Sequence, residues 1–249
     1  MGEEYDAFAS LLHHFLPEGV SFGLFLEVHM KDSRIKKICV LAVLAALSYV
    51  VMMVGRIPVV AFLKYDPKDV IITFAGFLYG PLSAFAVSLV VSLIEMFTVS
   101  DTGIIGFAMN VLSTCAFSCT AAFIYRKKHT LSGAVLGVTL GAVLMVIVML
   151  LWNYILTPLY MDTSREYVAS ILPTVFLPFN LLKGTLNAAL SLLLYRPLVT
   201  GLRGARLFPK STSTATTKTS SKILLWVIAS VVLVICVLVI LFFRGIIKF

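Results

Sequence analysis

The segment PFNLLKG, residues 178–184, places an asparagine and a lysine inside a long apolar stretch. Asn180, Lys183 and Asn187 follow at spacings of three and four residues, which puts their side chains on one face of a helix. A charged side chain within a bilayer faces a cavity, pairs with another group or snorkels to the membrane surface. Because Lys183 lies near the middle of the apolar run 171–195, its position favours a binding cavity over snorkelling.

Two other apolar runs carry polar side chains that could contribute to the same cavity. Asn110 and Thr114 share one face of the fourth predicted helix, and Asn153 lies beside Trp152 near the outer end of the fifth. Aromatic residues near that end are also typical of an interfacial belt. Glu95, near the outer end of the third helix, is expected to be solvated. Amides, hydroxyls, a lysine and aromatic rings together suit a planar small molecule with polar edges.

The apolar runs contain no catalytic or metal-binding pattern. A metal site would need a group of histidines or carboxylates there, and the sequence has none. No nucleophile lies at a plausible spacing from a base, and neither a Walker A motif nor a glycine-rich dinucleotide loop occurs. We therefore predict a binding protein rather than an enzyme, with no metal, no cofactor and no ATPase activity of its own.

The composition predicts an integral membrane protein. Of the 249 residues, 60% are hydrophobic and only 13% are charged, and the mean hydropathy is +1.02. Several apolar runs approach or exceed the length of about 20 residues that a helix needs to cross a bilayer. The net charge of +8 comes from lysines and arginines scattered beside these runs. Such an arrangement orients a membrane protein and does not form a nucleic-acid-binding face.

The predicted fold is an all-α bundle of six transmembrane helices followed by an additional C-terminal transmembrane helix. The six helices are predicted at 35–54, 67–80, 82–99, 106–125, 131–156 and 171–195. Pro58 and Pro67 interrupt helical structure, so the stretch between the first two helices is predicted to be a loop. Asp66 is predicted to cap the second helix, with Asp69 near its positive end.

The chain divides into four predicted regions. They are an N-terminal extension with interfacial character (1–30), the six-helix domain (31–200), a basic and Ser/Thr-rich linker (201–222) and the extra helix (223–249). The uniform apolarity of the last region predicts a lipid-facing anchor. Basic segments precede the first helix and follow the fourth and the sixth, so the positive-inside rule places the N-terminus in the cytoplasm.

Four separated segments resemble one family of transport proteins. FLKYDPKD in the first loop, FLYGPLSA between helices two and three, LLWNYILTPLYM at the end of helix five and LPFNLLKGTLNAALSLLLYRPL in helix six occur in the family's order. Together with a first helix rich in small residues, they resemble the riboflavin-specific substrate-binding component, or S component (RibU type), of energy-coupling factor (ECF) vitamin transporters. The resemblance covers about residues 31–198.

The resemblance implies a six-helix protein of a prokaryotic cell membrane that binds riboflavin, its transported ligand, from the outer side. Asn180 and Lys183 match the asparagine and lysine that contact the flavin in that family, and Asn153 matches the asparagine of helix five. The expected lid is the loop at 62–66, with the candidate ligand contacts Phe62, Leu63 and Tyr65.

The resemblance also implies partners. In that family a transmembrane coupling protein and two cytoplasmic ATPases supply the energy, and the S component topples in the membrane to release the vitamin inside. Ala42 and Ala46 match alanines of the first helix that pack against the coupling protein, and their i, i+4 spacing permits close helix approach. The same spacing would also suit an ordinary helix contact within the bundle.

Other functions remain open at this point. An S component for another vitamin, such as thiamine or pantothenate, would have the same fold with different polar residues in place of NLLK. An ion-driven carrier that acts alone would need a carboxylate near mid-membrane, which the predicted spans lack. A scaffolding protein would have no use for polar faces on three helices, and a membrane enzyme ranks last because catalytic groups are missing.

Overall fold

The computed structural model describes residues 33–60, 63–100, 102–204, 229–237 and 239–240. The chain divides into two compact units, Met1–Ala42 and Val43–Phe249. Of the first unit, residues 33–42 are described, and all of them are helical. The predicted extension 1–30 and most of the predicted linker 201–222 lie outside the described residues.

The six predicted helices are present in the described part of the chain. Their bounds are α1 Ser33–Gly55, α2 Lys68–Tyr79, α3 Pro81–Thr98, α4 Gly103–Thr114 continuing through a π-helical turn Cys115–Cys119 into Thr120–Lys127, α5 Leu131–Met161, and α6 Arg165–Ile171 continuing through a π-helical turn Leu172–Phe176 into Leu177–Gly204. Five of the described helices are long and apolar enough to cross a bilayer. The prediction of an all-α, multi-pass membrane protein is confirmed.

Local sequence explains most of the helix ends. Gly80 adopts a φ of 91°, which stops α2, and Pro81 then starts α3 at a position that needs no backbone N–H. The Thr130 side chain caps α5 by accepting a hydrogen bond from the backbone N–H of Gly133, and Ser164 caps α6 in the same way. This cap starts α6 earlier than predicted, and the π-helical turn that follows accommodates Pro173.

The first loop contains a β-hairpin, which the prediction of a loop missed. β1 (Ile57–Val60) pairs antiparallel with β2 (Leu63–Tyr65), and the register shift between Pro58 and Val60 leaves Val59 as a bulge. A two-stranded sheet consists only of edge strands, so Pro58 is tolerated, and the β-branched residues favour extended backbone.

The predicted cap of α2 is also corrected. Pro67 occupies the N-cap position, and no side chain caps the helix. The carboxylate of Asp66 instead faces Arg56 and Lys68, each with a nitrogen 3.9 Å from an Asp66 oxygen. Arg56 and Lys68 attract the Asp66 oxygens, which would otherwise accept hydrogen bonds from the backbone N–H groups at the start of α2.

The short helix α2 occupies a buried position within the second unit. Ten of its 12 residues are buried, including the charged Lys68 and Asp69 at its start. Phe74 and Phe77 join the main apolar core, where the ring centroids of Phe77 and Tyr125 of α4 are 4.3 Å apart. Because α2 is buried among the other helices, polar groups at its first turn can reach several of them.

Two glycines let α5 approach α4 at the level of the first π-helical turn. A Cβ atom on Gly137 would lie 2.7 Å from the carbonyl oxygen of Ala121, and one on Gly141 would lie 2.5 Å from that of Phe117. Both distances are shorter than carbon and oxygen atoms tolerate. Small residues one turn apart thus permit backbone contact between two transmembrane helices.

The substitution Gly141→Ala is expected to destabilise the protein by about 1–3 kcal/mol, because the added methyl group pushes α5 away from α4. Alanine's higher helix propensity, about 0.5–1 kcal/mol, offsets part of that loss. Thermal unfolding in detergent measures the change. Gly201→Ala is the matched control, since a Cβ there meets no atom within 4 Å. Equal midpoints for the two variants would contradict the close approach.

The C-terminal segment, defined here as residues 229–237 and 239–240, is helical. It is part of the predicted seventh helix, whose other residues lie outside the described ones. Its exposed large apolar residues are Val231, Val234, Ile235 and Val237, and its buried residues are Ala229, Cys236 and Ile240. One face of this segment therefore suits lipid, while the other packs against protein.

Candidate ligand-binding site

A cavity lies between the β1–β2 hairpin and helices α3 to α6. Its volume is about 150 Å³. The polar part of its wall includes Asn110, Ser113, Thr157, Asn180 and Lys183, and the apolar part includes Leu63, Ile105, Met109, Met149 and Phe179. Mostly apolar walls with a few convergent polar groups are typical of small-molecule sites.

The buried charge of Lys183 is compensated by Asp69, the second acidic residue of the DPKD motif. The Lys183 Nζ atom lies 3.6 Å from Asp69 Oδ2, and both side chains are buried. Thr114 donates a hydrogen bond to Asp69 Oδ1 at 2.6 Å, and the Asn187 amide donates to Oδ2 at 3.0 Å. Buried ion pairs persist when further hydrogen bonds satisfy them, as here. Lys183 thus lines the cavity while its ammonium group is paired with Asp69.

Tyr65 connects the hairpin to this group. Its hydroxyl donates a hydrogen bond to Asn187 Oδ1 at 3.0 Å, so the amide of Asn187 bridges Tyr65 and Asp69. Burial, followed by the charges of Asp69 and Asp66, raises the pKa of the Tyr65 hydroxyl. The hydroxyl therefore stays neutral and keeps its proton for this hydrogen bond. The hairpin is thereby fixed to α2 and α6.

A second buried network joins the hairpin region to α3. Glu95 accepts hydrogen bonds from both Arg56 and Lys68, and Asp66 lies near both cations. The expectation that Glu95 is solvated is wrong, because its side chain is almost completely buried. The two cations provide the reason, since a carboxylate between them is stabilised without water. Arg56, Asp66 and Glu95 also line the cavity.

The two networks are balanced in formal charge. Together they contain three cations, Arg56, Lys68 and Lys183, and three anions, Asp66, Asp69 and Glu95. Among the described residues, no group of three or more His, Cys, Asp or Glu side chains could hold a metal ion. These six side chains pair with one another, and four of them, Arg56, Asp66, Glu95 and Lys183, also line the cavity.

Three polar atoms of cavity-lining residues have no hydrogen-bond partner among the described residues. They are Nε of Arg56, Oδ1 of Asp66 and Oγ of Ser113, all buried. Buried polar groups in native proteins are nearly always hydrogen-bonded, so unsatisfied ones in a cavity wall indicate contacts that a ligand or water supplies. One of these atoms donates, one accepts and the Ser113 hydroxyl can do either, and this combination suits ligand hydroxyl groups.

The predicted site residues occupy different places relative to the cavity. Asn180, Lys183, Asn110 and Leu63 line it. Asn187, Thr114 and Tyr65 lie behind its wall, in the hydrogen-bond network of Asp69. Phe62 lies outside the described residues.

The two candidates on α5 lie away from the cavity lining. Asn153 is buried and its Oδ1 accepts a hydrogen bond from Thr157, which does line the cavity, at 3.5 Å. Trp152 is half-buried, and its buried Nε1 atom has no hydrogen-bond partner among the described residues. Asn153 therefore orients Thr157, whereas Trp152 has no hydrogen bond to a cavity-lining residue among the described ones.

Four charged residues of the site were not predicted, namely Arg56, Lys68, Asp69 and Glu95. A signal for Asp69 exists in the sequence, since a lysine within a membrane span requires a counter-charge. Asp69 and Glu95 flank or occupy predicted helices and are the natural candidates. Which of them pairs with Lys183 depends on three-dimensional packing.

Comparison with known proteins places the chain in a family. The family model described as ECF transporter, substrate-specific component, matches residues 36–195. This chain belongs to that family. The resemblance seen in four sequence segments is thus confirmed, and the six helices of this substrate-specific component correspond to the matched region.

Individual relatives agree with the family assignment. Riboflavin transporter RibU of Streptococcus thermophilus (strain ATCC BAA-250 / LMG 18311) is 27% identical over 201 residues, which cover 74% of this chain and 95% of that protein. Riboflavin transporter RibU of Staphylococcus aureus (strain TCH60) is 29% identical over 177 residues, covering 68% and 93%. A solved structure described as "Structure and mechanism of the S component of a bacterial ECF transporter" has a TM-score of 0.59 and 28% identity, covering 68% of this chain and 99% of that one.

Proposed function

We propose that this substrate-specific component binds riboflavin at the outer side of a prokaryotic cell membrane and delivers it to the cytoplasm. The observation that carries the proposal is the cavity whose wall contains Asn180 and Lys183, the two residues that the family resemblance assigns to flavin contact. The names of the relatives support the choice of vitamin, since both RibU proteins are called riboflavin transporters.

The chemistry of the cavity suits a flavin. The ring system of riboflavin is flat and apolar on its faces, which Met109, Met149 and Phe179 can contact. Its edges carry carbonyl oxygens and an N–H group, which suit the ammonium group of Lys183 and the amide of Asn180. The hydroxyl-rich side chain of riboflavin suits the unsatisfied atoms of Arg56 and Asp66.

We further infer that the protein acts with the ECF energy-coupling module, a transmembrane coupling protein and two cytoplasmic ATPases. Ala42 and Ala46 are both exposed on α1, as contacts with a partner helix require. The proposed topology has the N-terminus of α1 in the cytoplasm, in accord with the positive-inside rule. A carrier that acts alone would support riboflavin uptake in cells without the ATPases, which we do not expect.

The proposal is tested by titrating the purified protein in detergent with riboflavin and following the quenching of riboflavin fluorescence. We expect tight, saturable quenching, or a yellow preparation that already contains flavin. Thiamine and pantothenate are the control ligands and should not compete. Saturable binding of either of them, with no response to riboflavin, would assign this component to another vitamin.

The variant Lys183→Ala is expected to weaken riboflavin binding by more than about 1 kcal/mol, since a hydrogen bond from a charged donor is lost. Its affinity is measured in the same titration, below the unfolding temperature of the variant. Ser191→Ala is the matched control on α6, because Ser191 is buried and does not line the cavity. Unchanged affinity in Lys183→Ala would remove this lysine from the site.

A further inference from the structure

The C-terminal segment packs against the hairpin that borders the cavity. A cluster of buried apolar residues combines three elements: Val59 and Tyr65 of the hairpin, Phe179, Leu182 and Leu186 of α6, and Cys236 and Ile240 of the C-terminal segment. Both Cys236 and Tyr65 are almost completely buried there. The segment therefore covers a side of the hairpin that would otherwise face lipid or water.

The burial of the segment is one-sided. Val234 and Val237 are exposed, while Cys236 and Ile240, four residues apart, are buried together. Residues at that spacing lie on one face of a helix. A helix that served only as a lipid anchor would have no protected face, so the burial of Cys236 and Ile240 indicates a specific contact.

The covered hairpin is in direct contact with the cavity. Leu63 of β2 packs against the apolar cluster and also lines the cavity, and Phe179 does the same from α6. Tyr65, within the cluster, donates to Asn187, which in turn holds Asp69 beside Lys183. A displacement of the hairpin would therefore alter both the cover of the cavity and the hydrogen bonds behind its wall.

We propose that the C-terminal segment is an intramolecular brace that holds the hairpin closed over the cavity and slows the release of the bound ligand. The brace rests on the proposed function only for the identity of that ligand, riboflavin. Opening of the hairpin separates it from Cys236 and Ile240, and the exposure of this apolar surface opposes opening. The segment thus sets how long the cavity stays closed.

The brace is tested in the full-length protein with two tryptophan substitutions on the same segment. Cys236→Trp introduces a large side chain into the buried cluster, and Val234→Trp, the matched control, introduces it on the exposed face. The first readout is backbone hydrogen exchange of the hairpin without ligand. The second is the dissociation rate of riboflavin after dilution or competition.

We expect Cys236→Trp to speed hairpin exchange and riboflavin release by about tenfold, since overpacking weakens a buried contact, and Val234→Trp to leave both unchanged. Exchange in α4 and α5 reports whether the variant remains folded. If Cys236→Trp does not fold, Ile240→Ala removes the contact from the same cluster and is measured in the same way. Hairpin exchange equal to that of the unmodified protein would overturn the brace. This readout needs no ligand, so it decides the brace even if riboflavin does not bind.

Discussion

The substitution Asp69→Asn is expected to destabilise the protein by about 3–5 kcal/mol, because it leaves the ammonium group of Lys183 buried without a counter-charge. Asparagine keeps the shape of the side chain and can still accept from Thr114, but its amide nitrogen replaces the oxygen that accepts from Asn187, so the loss reports the charge together with that hydrogen bond. In a protein of this size, such a change lowers the midpoint of thermal unfolding by on the order of 10 °C. Unfolding in detergent without riboflavin measures it.

Two further variants make the Asp69 experiment specific. Glu166→Gln removes a carboxylate that is exposed at the start of α6, and it should leave the midpoint unchanged. The double variant Asp69→Asn with Lys183→Met removes both charges of the pair and should recover much of the lost stability. If Asp69→Asn alone unfolds at the temperature of the unmodified protein, the ion pair does not stabilise the fold.

The substitution Glu95→Gln is expected to have a similarly large effect, a loss of about 3–5 kcal/mol. It removes the carboxylate shared by Arg56 and Lys68, of which Lys68 is completely buried. Asp66 alone cannot replace it, since its oxygens are 3.9 Å from both cations. Chemical or thermal unfolding of the ligand-free protein in detergent gives the magnitude.

Charge retention is the control for Glu95. Glu95→Asp keeps the negative charge on a shorter side chain and should be less harmful than Glu95→Gln. Lys68→Met combined with Glu95→Gln removes one buried cation together with its partner and should be more stable than Glu95→Gln alone. If Glu95→Gln alone were more stable than the double variant, packing and not charge would hold the network together.

The number and approximate ends of the helices could be predicted from sequence because they depend on local features. The length of each apolar run sets a span, and Gly80 with Pro81 separates α2 from α3. The exceptions are also local: Ser164 starts α6 before its apolar run begins, and the π-helical turn allows the helix to continue through Pro173. A prediction of helix ends from hydropathy alone detects neither a proline nor a polar cap.

The site could be predicted only in part, because its geometry depends on contacts between distant segments. The helical spacing of Asn180, Lys183 and Asn187 grouped them on one face, but it could not show that Lys183 and Asn187 are both held by Asp69, which lies on another helix. Glu95 was expected in water because its charge partners come from the first loop and the start of α2. Ion pairs between segments leave no periodic pattern in the sequence.

The equal number of positive and negative side chains in the two networks has an electrical consequence. One uncompensated elementary charge that crosses a membrane potential exchanges about 2.3 kcal/mol with the field for each 100 mV. Three cations and three anions have no net charge, so their translation together across a uniform field exchanges none, and only rotation of their dipole couples to the voltage. The voltage across a cell membrane therefore acts on these six side chains through their orientation and not through a net charge.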